Sequence, residues 1–309
     1  MVDTRVLRND ALLLTTAAVW GLAFTAQRAG MDFVGPFTYN GVRFVLGTVS
    51  LVPLLFLLPA EPTQRPMTPH GRLTFLRDGV LAGLLLFGGS SFQQVGLLHT
   101  TAGKAGFITG LYVVIVPIWA ALLGRRTDRG RWIGAFLAVV GLYFLSVGSS
   151  FSVNPGDVFV LVCAFFFAAH VLLLSRLSRM WNALKLAALQ YLTTGVLSLA
   201  VAFATETPDI QTVVAAWLPI LYGGVCSVGI AYSLQIIAQR HAHPAHAAIL
   251  LSLEGAFAAL GGFLILGEVL SPRDLIGCAL MLAGMLASQS AAVLRTARVR
   301  TPSGARART

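Results

Sequence analysis

Ten apolar stretches, each close to 20 residues, decide what this chain can fold into. They run Ala11–Ala29, Phe37–Leu58, Leu76–Leu98, Ala105–Leu123, Trp132–Gly148, Val158–Ser175, Ala183–Ala204, Ala215–Ala238, Pro244–Gly267 and Pro272–Val293. About 20 helical residues cover the ~30 Å of hydrocarbon in a bilayer. Turn chemistry separates the stretches, at Gly35-Pro36, Pro59-Ala60-Glu61-Pro62, Asn154-Pro155-Gly156 and Ser271-Pro272. The composition agrees: 56% of the 309 residues are hydrophobic and 11% charged, and the mean hydropathy is +0.79. A soluble domain carries about 25% charged residues, and one this apolar would expose patches that aggregate. The expectation is an all-α membrane protein with ten transmembrane helices. Arg5 and Arg8 precede the first stretch as they would in a signal peptide. No small-x-small cleavage site follows, and many more spans do, so the first helix is read as retained.

The net charge of +10 invites a nucleic-acid partner, but the basic residues form no single patch and no motif of that class is present. They sit in short loops and in the tail. With the N-terminus inside, the cytoplasmic segments hold Arg5 and Arg8, then Arg65, Arg72 and Arg77, then Arg125, Arg126, Arg129 and Arg131, then Arg176, Arg179 and Lys185, then Arg240 and the tail arginines. The outer side holds Arg28, Lys104 and Arg273. That bias places both termini in the cytoplasm. The segment 295–309 is a basic, Pro- and Gly-containing tail, expected to be disordered. Cys163, Cys226 and Cys278 have no metal or redox spacing and read as small buried hydrophobes.

The chain also repeats. Residues 1–150 and 151–294 align, with Asp10 and Asp157 each opening a half. A shift of 147 positions puts Trp20 on Phe167 and Arg43 on Gln190. With small gaps Phe92 falls on Tyr232, and Gly134 and Gly141 on Gly277 and Gly284. Five helices per half is an odd number, so the second copy is inverted. The charges agree, since arginine-rich loops of one half correspond to arginine-poor loops of the other. Inverted repeats are a transporter architecture, with the substrate site near the midplane between them.

The early Trp20-Gly21 pair, Arg43 in the second helix, Leu253-Glu254-Gly255, Leu266-Gly267-Glu268 and the closing Ile276-Gly277 to Ala283-Gly284 run resemble the drug/metabolite transporter superfamily, EamA type, over nearly the whole chain. The resemblance implies ten helices in two inverted EamA repeats and movement of small metabolites, often outward, across a bacterial-type inner (plasma) membrane. Within the superfamily the chain resembles the YddG-type exporters of aromatic and other neutral amino acids. It departs from the pattern where Leu123-Gly124-Arg125 stands in place of a Gly-Glu pair, and where Gly255 replaces a common proline.

Glu254 is the sharpest candidate for chemistry. It lies about halfway along its stretch, where a charge costs roughly 2.5–3.5 kcal/mol on insertion scales. It either binds a proton or a substrate ammonium, or is a protonated carboxyl that locks helix packing. Ser90 and Gln94 share a helical face, beside Ser91 and Gln93, and Tyr232, Gln235 and Gln239 share another. These two stretches are repeat mates, so both faces are expected to line a central cavity. The competing reading is interhelical hydrogen bonding, worth about 0.6 kcal/mol on average. Gln190, the mate of Arg43, belongs to the same expected lining. His170 either lines the cavity and relays a proton or is a packing residue. Arg43 either snorkels to the outer interface or binds a substrate carboxylate. Trp20, Tyr39, Tyr112, Trp119 and Tyr191 offer rings for stacking, against packing or an interfacial belt. His241, His243 and His246 with Arg240 read as a solvated turn rather than a metal site, and no metal or cofactor is expected. The paired glycines 134/141 and 277/284 read as a helix contact, within the chain or in a homodimer.

Two function classes compete. A secondary transporter needs a midplane cavity, and without a Walker A sequence ATP does not drive it directly. A membrane enzyme acting on lipids needs a catalytic constellation, and no HExxH, GxSxG or Asp-rich motif is present. The expectation is therefore a transporter and not an enzyme. Arg43 is the one candidate buried cation, which disfavours phosphates and favours neutral or aromatic amino acids, with nucleosides, amines or drug-like cations as alternatives.

Overall fold

The computed structural model describes residues 4–57, 68–122, 129–146, 153–239, 250–251 and 253–300. The elements among them are helices: α1 (Thr4–Gly30), α2 (Pro36–Leu57), α3 (Pro69–Gly96), α4 (Ala102–Gly110), α5 (Tyr112–Leu122), α6 (Arg129–Ser146), α7 (Pro155–Leu177), α8 (Ala183–Thr205), α9 (Ile210–Ala215), α10 (Trp217–Leu221), a π-helical segment (Tyr222–Ala231), α11 (Tyr232–Gln239), α12 (Glu254–Leu266) and α13 (Pro272–Arg300). Several starts are written in the sequence. Thr68, Thr101, Asn154 and Asn182 each accept a backbone N–H with the side chain, and Pro69 and Pro155 open their helices, where a missing N–H costs nothing.

Large apolar side chains cover the outside while several polar ones are buried with the core. Phe56, Phe136, Val139, Phe203 and Leu264 are exposed, while Asn40, Gln94, Thr194 and Ser198 are buried. In water such a surface would aggregate, but hydrocarbon accepts it. Five described segments are long and apolar enough to cross a bilayer: Pro36–Leu57, Pro69–Gly96, Pro155–Leu174, Ala183–Thr205 and Trp217–Gln235.

Three pairs of counterpart helices of the two halves pack against each other, and each of these pairs runs antiparallel. A Cβ on Gly141 would meet Gly277 O, and one on Gly284 would meet Gly134 O, so α6 crosses α13 backbone to backbone. Gly41 lies against Leu199 and Gly195 against Val45, pairing α2 with α8. Gly103 lies against Ala259 and Gly106 against Gly255 and Ala258, pairing α4 with α12. The remaining contacts match across the halves as well. The first helix packs on the π segment, α11 and α12, as α7 packs on α3, α4 and α5. Antiparallel mates are what an axis lying in the membrane plane produces. The glycine faces read as a chain contact or a dimer contact are used within the chain.

The sequence reading needs four corrections here. The fourth stretch begins at Ala102 and is broken at Leu111, between α4 and α5. Among the described residues of the ninth, a turn at Leu253 comes before Glu254, which opens α12 instead of standing in mid-helix. At both breaks an i→i+3 bond appears, Leu111 N to Ile108 O (3.1 Å) and Leu253 N to Leu250 O (3.3 Å). Apolar periodicity does not register a one-residue break of that kind. The eighth stretch holds the π segment, rich in glycine (Gly223, Gly224, Gly229). Finally, α13 continues as helix to Arg300, past the expected end of order at Arg295. Leu294 to Arg300 contains no Gly or Pro, and Arg, Leu and Ala are good helix formers.

Candidate functional site

The two helix breaks face each other. Tyr112 follows the first and Glu254 the second, and the Tyr112 hydroxyl lies close to the Glu254 carboxyl. Glu254 is 3% exposed, and its Oε1 has no hydrogen-bond partner among the described residues. Close packing holds the carboxylate there. A Cβ on Gly21 would overlap Phe257 and sit 2.6 Å from Glu254 O, so α1 rides directly on the first turn of α12. The Trp20-Gly21 pair thus has a geometric reason: only glycine permits that approach, and the indole beside it faces the interior.

Trp20 donates its indole N–H to Ser227 O of the π segment (3.3 Å). Its ring meets Tyr232 edge-on, with centroids 4.7 Å apart. Tyr232 continues to Tyr191 (5.4 Å) and Tyr191 to Phe44 (6.2 Å). Arg43 closes this aromatic row, its guanidinium carbon 4.9 Å from the Phe44 ring centre and 5.5 Å from that of Tyr39. Tyr232 lies within electrostatic range of both Arg43 and Glu254. Four rings in contact therefore form a row that begins at one cation and has a carboxylate within electrostatic range of Tyr232. The snorkelling reading of Arg43 is corrected: it is 4% exposed and its Nε donates to Asn40 Oδ1 (2.9 Å). Stacking on two rings and an acceptor one turn away hold it inward.

The other candidates fall into two groups. Ser90 is buried; its backbone carbonyl accepts from Asn40 Nδ2 (3.0 Å), linking it to Arg43. Gln94 is fully buried, donates to Gln27 O (3.3 Å), and leaves its Oε1 without a partner among the described residues. Gln93 donates to Thr109 Oγ1 (3.2 Å), which in turn meets Cys163 Sγ at 3.6 Å. His170 and Gln190 pair with each other, Nε2 to Oε1 at 2.7 Å, across α7 and α8. That contact occupies one nitrogen of the imidazole and ties two helices. Ser91 and Phe92 line a separate cavity of about 140 Å³ with Phe37, Val95 and Phe159. Tyr39 donates to Pro219 O (2.9 Å), and Trp119 lies 6.0 Å from Phe165, away from the row. Gln235 is half-buried on α11. The side chain of Gln239 and the residues Arg240, His241, His243 and His246 lie outside the described residues. Among the described residues no group of three or more His, Cys, Asp or Glu is arranged to hold a metal.

Sequence reasoning did not single out Asn40, Thr109, Asp78 or the two breaks. Asp78 is buried and accepts from Trp181 Nε1 (3.0 Å) while pairing with Arg77. A carboxylate just inside an apolar stretch was its available signal. Asn40 also had one, three residues before Arg43 on the same face.

An apolar helical bundle with antiparallel counterpart helices, broken spans and a buried charge-bearing row between them defines the class of multi-spanning membrane transporters. The EamA-like transporter family model matches twice, over residues 7–147 and 154–288, and the chain belongs to that family. It is 35% identical over 279 residues to an uncharacterized transporter of Archaeoglobus fulgidus, covering 90% of this chain and 84% of that protein. It is 24% identical over 261 residues to the uncharacterized inner membrane transporter YedA of Escherichia coli K12, covering 82% and 81%. A solved crystal structure shares the fold with a TM-score of 0.66 at 21% identity, covering 95% of this chain and 99% of that one.

Proposed function

We propose that the protein exports aromatic or other neutral amino acids across the inner (plasma) membrane by alternating access between its two inverted halves, with both termini cytoplasmic. The observation that carries this is the aromatic row between Arg43 and Glu254. A zwitterion presents a carboxylate for a guanidinium and an ammonium for a carboxylate, and an aromatic side chain stacks on the rings between. Glu254 also serves as the proton-binding group. It lies at a break between helices, where backbone groups and a carboxyl meet a shared space. His170 is a second candidate for proton movement only if its contact with Gln190 opens during transport.

One observation favours a second reading. Arg43 is already engaged by two rings and Asn40, while Glu254 Oε1 has no partner among the described residues. A solute carrying only a cation, such as an amine or a drug-like cation, would then use Glu254 alone. Uptake of labelled solutes into proteoliposomes separates the two: phenylalanine, leucine, phenethylamine and a nucleoside, each with a concentration series. Saturable uptake of phenylalanine but not phenethylamine supports the zwitterion site. The reverse preference supports the cation site, and no uptake of any amino acid overturns the amino-acid reading.

A further inference from the structure

One end of the bundle is tied by carboxylates that reach across counterpart helices. This distal end carries the C-terminus of α1 and the N-termini of α2 and α4. Glu206, at the end of α8, accepts from Phe37 N (2.8 Å), Thr38 N (2.8 Å) and the Thr38 hydroxyl (2.6 Å) at the start of α2. Glu268, just after α12, accepts from Ala102 N (2.9 Å) and Gly103 N (3.4 Å) at the start of α4. Each helix therefore has its orphan N–H groups satisfied by its mate in the other half, with the dipole adding to the attraction. The backbone is shaped for these contacts. Gly267 takes φ 66°, a left-handed turn that folds Glu268 back so that its amide donates to Gly262 O (3.0 Å). A Cβ on Gly35 would overlap the Glu206 carboxylate.

Near this end the last turns of α1 and α3 meet where Gln94 Nε2 donates to Gln27 O (3.3 Å). Gln27 is 3% exposed and Gln94 fully buried, and the side-chain oxygen of each has no hydrogen-bond partner among the described residues. Two buried amide oxygens without partners are costly in a permanently closed seam and cheap in one that is periodically wet. The Glu268 contact has no counterpart in the sequence of the first half. The segment matching Leu266-Gly267-Glu268 in the first half is Leu123-Gly124-Arg125, and an arginine side chain has no acceptor for helix N–H groups.

We propose that Glu206 and Glu268 are the two latches of a distal gate, and that solute reaches the aromatic row from this side only when both carboxylates release the starts of α2 and α4. The latches rest on the reading that the path runs between the halves, and on nothing about which solute travels.

The test uses the full chain in sealed membrane vesicles of both orientations and a membrane-impermeant maleimide, with mass spectrometry reading the introduced cysteine. Asp32→Cys, on the exposed turn after α1, defines by its own labelling which side is distal. Gln27→Cys reports the seam. With the latches intact, Cys at 27 reacts slowly. Glu206→Gln and Glu268→Gln, each combined with Gln27→Cys, are expected to raise its labelling rate from the distal side roughly tenfold, since each removes a charge-assisted contact. The rate from the other side is expected not to rise, and the rate at position 32 to stay unchanged. Ala102→Pro is a second variant that guards against misfolding. It deletes the N–H that Glu268 Oε1 accepts while suiting the first helical position, because Thr101 is already extended (φ -82°, ψ 156°). It too is expected to raise labelling at position 27, by less. Unchanged labelling in all three, or an equal rise from both sides, overturns the latches. Solute flux is measured separately, so a wrong solute leaves this result standing.

Discussion

Two pairs of counterpart helices, α6 with α13 and α4–α5 with α12, obey the same antiparallel relation and are built for opposite purposes. In the first pair both helices are continuous, and Gly141, Gly277 and Gly284 let backbones touch. At one end of that crossing Arg273 Nε also donates to Phe144 O (3.2 Å). The second pair also uses glycines, Gly103, Gly106 and Gly255, but both spans break, and directly after the breaks stand Tyr112 and Glu254. An unbroken, glycine-faced crossing gives dispersion contacts and rigidity. A broken one gives up helix continuity and places a hydroxyl and a carboxyl together in the interior. Under the proposed function, α6 and α13 serve as scaffold and α4, α5 and α12 serve transport.

Substitutions should separate these roles, and the largest effect should come from the scaffold. Gly284→Leu places a side chain where even a Cβ would lie 2.6 Å from Gly134 O. It is expected to lower the thermal midpoint of detergent-solubilised protein by about 10 °C or to prevent folding, since backbone cannot yield as a flexible side chain does. A midpoint within a degree or two of wild type would show that α6 and α13 can separate cheaply. Arg43→Gln should leave the midpoint nearly unchanged while raising KM for a zwitterion about 10- to 100-fold, as a charge-assisted contact is lost. KM for the corresponding amine should move little, and equal shifts for both solutes would remove Arg43 from carboxylate recognition. Tyr112→Phe removes the hydroxyl beside Glu254 and is expected to change flux and its pH profile, with a stability loss of only about 1 kcal/mol by denaturation. Smallest of all, Lys104→Met breaks the ion pair with Asp274 (2.9 Å). Its partly exposed setting limits the expected loss to under about 1 kcal/mol in a thermal shift measurement.

The scaffold was legible in the sequence because it is periodic. Apolar stretches, turn residues and the seven-residue spacing of Gly134/Gly141 and Gly277/Gly284 are repeated signals, and each follows from packing that repeats. Glu254 stood out because a carboxylate in an apolar stretch is rare. The breaks did not, because a single i→i+3 bond at Leu111 or Leu253 leaves hydrophobic pattern untouched. Arg43 was ambiguous for a related reason. Its direction depends on Phe44, Tyr39 and Asn40 being on its own helix and on which way that helix faces, which spacing alone does not fix. Glu268 read as part of a motif, and Glu206 drew no reading. Their partners, the backbone N–H groups of α2 and α4, are more than 150 residues away, and backbone donors leave no trace in side-chain sequence.

The most direct test of the account is solute uptake into proteoliposomes under an imposed pH gradient, wild type beside Glu254→Gln, with phenylalanine as the labelled solute. The account predicts that the gradient stimulates uptake by the wild type and not by the variant, while both proteins keep the same thermal midpoint within a few degrees. Equal stimulation of both would contradict it, leaving Glu254 as a packing group and moving the proton to another residue.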